Sequence, residues 1–81
     1  MSVAIRVNFR KQLSQKELQL NRRIPYTEIK KETGTPIKTI SDWDKGDVKQ
    51  FHAGVLERFC HYFNCSVGDL LEYVPDGNRH K

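Results

Sequence analysis

Apolar residues recur along this chain with two different periods. Val3, Ile5 and Val7 alternate with Ala4, Arg6 and Asn8, the period of two that turns one face of a short strand inward. From Phe9 the spacing lengthens. Phe9, Leu13 and Leu20 recur at near-helical intervals with Leu18 beside them, and no Gly or Pro intervenes before Pro25, which predicts a first helix from about Phe9 to Arg22. Past a loop over Asp47 to Phe51, the residues Val55, Leu56, Phe59, Cys60 and Phe63 form the stripe of an amphipathic helix. Ser66 followed by Asp69 three residues later predicts the capped start of a further short helix. Leu71 and Tyr73 then alternate with Glu72 and Val74, as in a second short strand, before Pro75, Asp76 and Gly77 end the ordered part. A lone short strand is unstable in water, so the first and last strands are each other's obvious partners, within one chain or between two.

The segment Tyr26 to Gly46 reads as two short helices around one tight turn. The first carries Ile29 inward and stops at Gly34, which can take a left-handed conformation without a Cβ clash. Thr35 is placed to cap the next helix, with Pro36 at its first position, where a missing N–H costs nothing. That helix buries Ile40 and Trp43, three residues apart, and ends at Gly46. Ile37, Lys38, Thr39, Ser41 and Asp42 are left for its flanks and outer face. A short helix with such a face fits the major groove of DNA.

Charge sharpens this reading. The formal charge is +4 over 81 residues, but residues 1–41 hold nine Lys/Arg against three acids, whereas residues 42–81 hold five against seven. The positive half therefore contains the two-helix unit, where a polyanion would be held. No stretch approaches the ~18 apolar residues of a membrane span, and the start lacks the pattern of a signal peptide, so a cytoplasmic protein without membrane contact is expected. Cys60 and Cys65 are then reduced, and with His61 they lack the ligand number and spacing of a metal site, so they are read as small core hydrophobes. No repeat or linker divides the chain: residues 1–81 are expected to form one domain with a flexible tail over 75–81.

From about Phe9 to Val74 the chain resembles the Cro/CI-type (XRE family) helix-turn-helix domain of bacterial and phage transcriptional regulators, in its small single-domain form. The matching positions are Ile29, Thr33, Gly34, Thr39, Ile40, Ser41, Trp43, Asp44, Lys45 and Gly46, together with the run from Val55 to Tyr73, of which Phe63 to Tyr73 carries the closest likeness. Leu13 to Leu18 imitates the start of the family's second helix. Its register would put the turn glycine at Arg23, however, whereas Tyr26 puts it at Gly34, so Leu13 to Leu18 belongs to a lengthened first helix. The resemblance implies a mainly α, compact five-helix, lambda-repressor-like helix-turn-helix bundle, with the helix-turn-helix at about 26–46 and short terminal strands that can pair.

In proteins of this type the second helix meets phosphate and the third reads bases from its N-terminal half. Carried over to this chain, Pro36, Ile37, Lys38, Thr39 and Asp42 are the base-reading candidates. Tyr26, Thr27, Lys31, Ser41, Lys45 and Lys49 are the phosphate candidates. Lys38 can donate to guanine, Ile37 can pack on a thymine methyl, and Asp42 can accept from a cytosine amino group or pair with Lys38 or Lys45. The chain departs from the family at Tyr26, where an amide is usual, at Lys30, where a small residue is usual, and at Ile37 and Asp42, where polar or basic residues are usual. Lys30 must then snorkel outward along its aliphatic stem. The resemblance implies a sequence-specific, double-stranded-DNA-binding transcriptional regulator of repressor type, acting as a homodimer at the nucleoid. Two rival readings stand beside it: a protein-interaction module on the same fold, favoured by Ile37 and Asp42, and an antitoxin-type autoregulator. No catalytic set, phosphate loop, metal or cofactor motif is present, so an enzyme is not expected.

Overall fold

The computed structural model describes residues 5–74, in which β1 (Ile5–Val7), α1 (Phe9–Leu20), α2 (Tyr26–Thr33), α3 (Ile37–Lys45), α4 (Ala53–Phe63), α5 (Val67–Leu70) and β2 (Leu71–Tyr73) follow in order. The expected mainly α architecture of five helices with short terminal strands is the one formed. Val3 and the tail over 75–81 lie outside the described residues. The two strands pair antiparallel within the chain, with Ile5 opposite Tyr73, Arg6 opposite Glu72 and Val7 opposite Leu71. Val7 and Leu71 pack against the core, while Arg6 and Glu72 meet at 3.9 Å on the other face.

Phe9, Leu13, Ile24, Ile29, Ile40, Trp43, Phe59 and Leu70 form the buried core. Its centre is aromatic. Phe59 of α4 meets the edge of Phe9 from α1 at 4.9 Å and of Trp43 from α3 at 5.1 Å. Edge-to-face contacts of this kind add roughly 0.5–1.5 kcal/mol each beyond the area they bury.

Helix ends follow from left-handed residues. Asn21, Gly46 and Asn64 take positive φ, and each is followed by an amide that donates back across the last turn: Arg22 to the Glu17 carbonyl, Asp47 to that of Asp42 and Cys65 to that of Cys60. This six-to-one bond marks the Schellman motif. Gly34 closes α2 differently, with its own N–H donating to the Lys30 carbonyl at 2.7 Å. At α5 the Asp69 carboxylate accepts from both the amide and the hydroxyl of Ser66, which bears out the expected capping.

Three local expectations are corrected. Helix α1 stops at Leu20, not Arg22, because Asn21 adopts the left-handed conformation that Asn tolerates. Leu18 and Leu20 are 82% and 45% exposed, and the buried position is taken by Ile24 from the following loop. Leu18 lies about 140° around the helix from Leu13, at 100° per residue, and so faces outward. Thr35 does not cap α3. Pro36 occupies the N-cap with φ −60° and ψ 149°, its carbonyl accepting the Ile40 N–H at 3.0 Å, and the helix begins at Ile37. A residue before proline is pushed toward extended backbone. Thr35 is instead fully buried, and its Oγ1 has no partner among the described residues.

Candidate nucleic-acid interface

The turn joining α2 to α3 is built by its neighbours' side chains. The Thr33 hydroxyl donates to the Ile29 carbonyl at 2.7 Å and accepts the Thr35 N–H at 3.2 Å, so one side chain satisfies a helix-end carbonyl and the first amide beyond Gly34. Gly34 sits at φ 72°, where a Cβ would be strained by the backbone conformation even though no neighbouring atom stands in its way. Ile29, Ile40 and Trp43 then anchor both helices inward.

A second device sets the angle between helices. Asp44 near the end of α3 accepts a two-pronged bond from Arg10 of α1, Nε to Oδ1 at 2.7 Å and a terminal guanidinium nitrogen to Oδ2 at 2.6 Å. The Tyr26 hydroxyl at the start of α2 donates to the same Oδ2. Three helices thus converge on one carboxylate whose side chain is 9% exposed. Burial pushes the Asp44 carboxyl up, but the hydrogen bonds from Arg10 and Tyr26, with the Arg10 charge, outweigh it and hold the group below the usual aspartate range. The bond to Asp44, together with burial, raises Tyr26 above an ordinary phenol, so it stays a neutral donor.

The outer face of α3 carries the expected reading residues. Pro36 and Lys38 are exposed, and Ile37, Thr39, Ser41 and Asp42 are half-buried. Lys38 Nζ lies 3.4 Å from Asp42 Oδ2, one turn along the helix. Lys38, Thr39 and Asp42 also line an open groove of about 390 Å³, closed on its far side by Asp47 to Gln50 and His52 of the loop before α4. Lys49 belongs to that loop, its ammonium 3.9 Å from Asp47. The structure therefore brings Lys38, Thr39, Asp42 and Lys49 to one groove. Thr27 and Lys31 lie exposed on α2, and Lys45 is exposed at the end of α3. Lys30, at a position where the family carries a small residue, is exposed, as snorkelling requires. Tyr26 reaches Asp44 with its hydroxyl, leaving only the oxygen's acceptor side and the ring for anything outside.

Sequence reasoning missed Arg10 and Thr33 as builders of this site, and it treated Asp44 only as a matching position. One signal was present: Phe9-Arg10 and Trp43-Asp44 each place a charge of opposite sign directly beside a core aromatic. Among the described residues, no group of three His, Cys, Asp or Glu side chains is arranged to hold a metal ion. Cys60 and Cys65 are free and half-buried, and burial first of all pushes the Cys65 thiol up to about 11. No helix among the described residues is long and apolar enough to cross a membrane.

Two short helices meeting at a left-handed glycine, the second with its apolar side buried and its polar side free, make a helix-turn-helix of the DNA-binding class. Residues 10–76 match the family model of the Cro/C1-type HTH DNA-binding domain, and the chain belongs to that family. It is a DNA-binding transcriptional regulator at the level the family defines, with double-stranded DNA as its partner. No curated protein and no solved structure matches the chain.

Proposed function

We propose that this protein is a sequence-specific repressor that binds a two-fold DNA site as a homodimer, with α3 in the major groove and the start of α2 on the phosphate backbone. The observation that carries the reading is the division of α3, with Ile40 and Trp43 buried beneath and Lys38, Thr39 and Asp42 presented outward. In this arrangement Pro36, Ile37, Lys38, Thr39 and Asp42 face base edges, and Thr27, Lys31, Ser41, Lys45 and Lys49 face phosphates, while Tyr26, whose hydroxyl is given to Asp44, meets the backbone with its ring alone. Repression follows from occupancy, since a regulator held over a promoter excludes other proteins from the same groove. Such a protein works in the cytoplasm, at the nucleoid.

Charge on α3 supports DNA over a protein partner. Asp44 is taken by Arg10, so the outer face carries Lys38 and Lys45 against Asp42 alone and is neither acidic nor broadly apolar. Selection of bound sequences from a pool of random duplexes tests the reading. The expected result is an inverted repeat whose half-sites lie about 10 base pairs apart, with sedimentation giving two chains per duplex. Recovery of no shared sequence at low salt sinks the proposal and returns the fold to the role of a protein-interaction module.

A further inference from the structure

The Lys38–Asp42 pair on the reading face is the least ordinary feature of this interface. A carboxylate directed at DNA repels phosphates, and it stays unfavourable unless a hydrogen-bond donor meets it. Its present partner holds it weakly: the ammonium and carboxylate are 3.4 Å apart, with side chains 87% and 37% exposed. Exposed pairs of this kind contribute little to the fold. Asp42 is therefore poorly explained as a stabilising residue.

Its position suggests a chemical role. Residues four apart on a helix lie about 6 Å apart along the axis on one face, and here a cation donor stands beside an anion acceptor. Of the base pairs, G·C shows the complementary pattern in the major groove, with the guanine O6 and N7 acceptors beside the cytosine N4 donor. An A·T pair instead sets its one amino donor between two acceptors, adenine N7 and thymine O4, which a carboxylate must approach. Lys38 and Asp42 are thus matched to guanine and cytosine of one pair or of adjoining pairs. Where no cytosine amino group is presented, Asp42 is left against acceptors, and Lys38 stays drawn to Asp42 rather than to a phosphate.

We infer that Asp42 is the specificity-determining residue of this helix. Coupled to Lys38, it selects a G·C pair and penalises every other sequence, so that it lowers general affinity for DNA while raising discrimination. This deepens the DNA-binding reading and rests on it. A device of this kind works by rejecting the wrong partner as much as by holding the right one.

The test repeats the duplex selection with the full chain in three forms: unsubstituted, Asp42→Ala and Asp42→Asn. Titrations then compare the selected duplex with versions changed at one base pair. The unsubstituted protein is expected to lose roughly 5- to 150-fold in affinity when one particular G·C pair is replaced. Asp42→Ala should erase that one preference and leave the others in place. It should also bind an unselected duplex several-fold more tightly, with the salt slope of the dimer on that duplex steepened by about 1.8 as Lys38 of each protomer turns to a phosphate. Asp42→Asn should select adenine where cytosine stood, since an amide pairs with adenine N6 and N7. Circular dichroism reads whether both variants keep the helical fold. Identical motifs from all three forms, or a uniform loss of affinity in Asp42→Ala, overturn the inference while leaving the DNA-binding reading intact. Enrichment of nothing by the unsubstituted protein overturns that reading and this inference with it.

Discussion

Thr33 and Thr35, two residues apart at the turn between α2 and α3, put the same hydroxyl to opposite effect. Thr33 bridges the Ile29 carbonyl and the Thr35 amide, whereas the Thr35 hydroxyl is fully buried without a partner among the described residues. Leaving a buried polar group unsatisfied costs roughly 1–3 kcal/mol, and a made hydrogen bond contributes about 1 kcal/mol. Thr35→Val should therefore raise the unfolding free energy by about 1 kcal/mol or more, and Thr33→Val should lower it by about 1 kcal/mol, read from urea midpoints at constant slope. A Thr35→Val protein no more stable than its parent would mean that its hydroxyl finds a partner. At the same scale, Lys38 and Lys49 separate by role. Lys49→Ala should weaken all duplexes alike, and Lys38→Ala should relax preference at one position, as measured by titration of the selected duplex and its single-pair variants.

Among the elements, α3 is held from below by Trp43 and from the side by Asp44. Arg10 and Tyr26 close on that carboxylate from α1 and α2, so α3 is fixed against both neighbours. Asp44→Asn keeps the shape but removes the charge. With Arg10 half exposed, solvent screens part of the loss, and the fold should weaken by about 1–2 kcal/mol. Because Asp44 sits below its ordinary value in the fold, its contribution is complete above the usual aspartate pKa of about 3.9 and fades as pH falls toward the lower folded value. Urea midpoints followed from pH 6 downward should thus fall less steeply in Asp44→Asn than in the parent. Parallel curves would show that the clamp does not titrate with folding.

The helix-turn-helix was legible because its punctuation is strong: Gly34 and Gly46 end helices, Pro36 marks the start of one, and Ile40 and Trp43 share a face. The α5 start was equally legible from Ser66 and Asp69. Asn21 and Asn64 end helices with the same left-handed geometry as the glycines, yet Asn favours that geometry too weakly to announce a boundary. Ile24 escaped because it reaches the core from a loop, where periodicity has no meaning, and Thr35 because a threonine before proline reads first as a cap. Pro36 and Lys38 are exposed and Ile37, Thr39 and Asp42 half-buried, whereas Ile40 and Trp43 are buried. That Asp42 lies against Lys38, and that Asp44 faces inward to Arg10, depends on side-chain direction and on a partner 34 positions away.

For the whole molecule, the strands and the charges decide how it can meet DNA. Pairing of β1 with β2 joins the two ends of the described chain and settles within one molecule what the sequence left open. Ion pairs then thin the basic half: Arg10 is held by Asp44, Arg22 by Glu28 and Lys38 by Asp42, while Arg23, Lys30 and Lys31 of that half, and Lys45 just beyond it, have no ion-pair partner among the described residues. Attraction to DNA must therefore come from a few exposed lysines and not from the full surplus in the sequence. If Lys31, Lys45 and Lys49 of each protomer neutralise one phosphate, a dimer releases counterions from about six contacts, and the logarithm of affinity should fall with that of salt at a slope of about −5. The direct measurement is a salt-series titration of the selected duplex beside a scrambled one of equal length. A slope of about −5 on the selected duplex, with at least about a thousandfold preference over the scramble, is the predicted result. A slope near zero, or equal affinity for both duplexes, would contradict sequence-specific DNA binding by this protein.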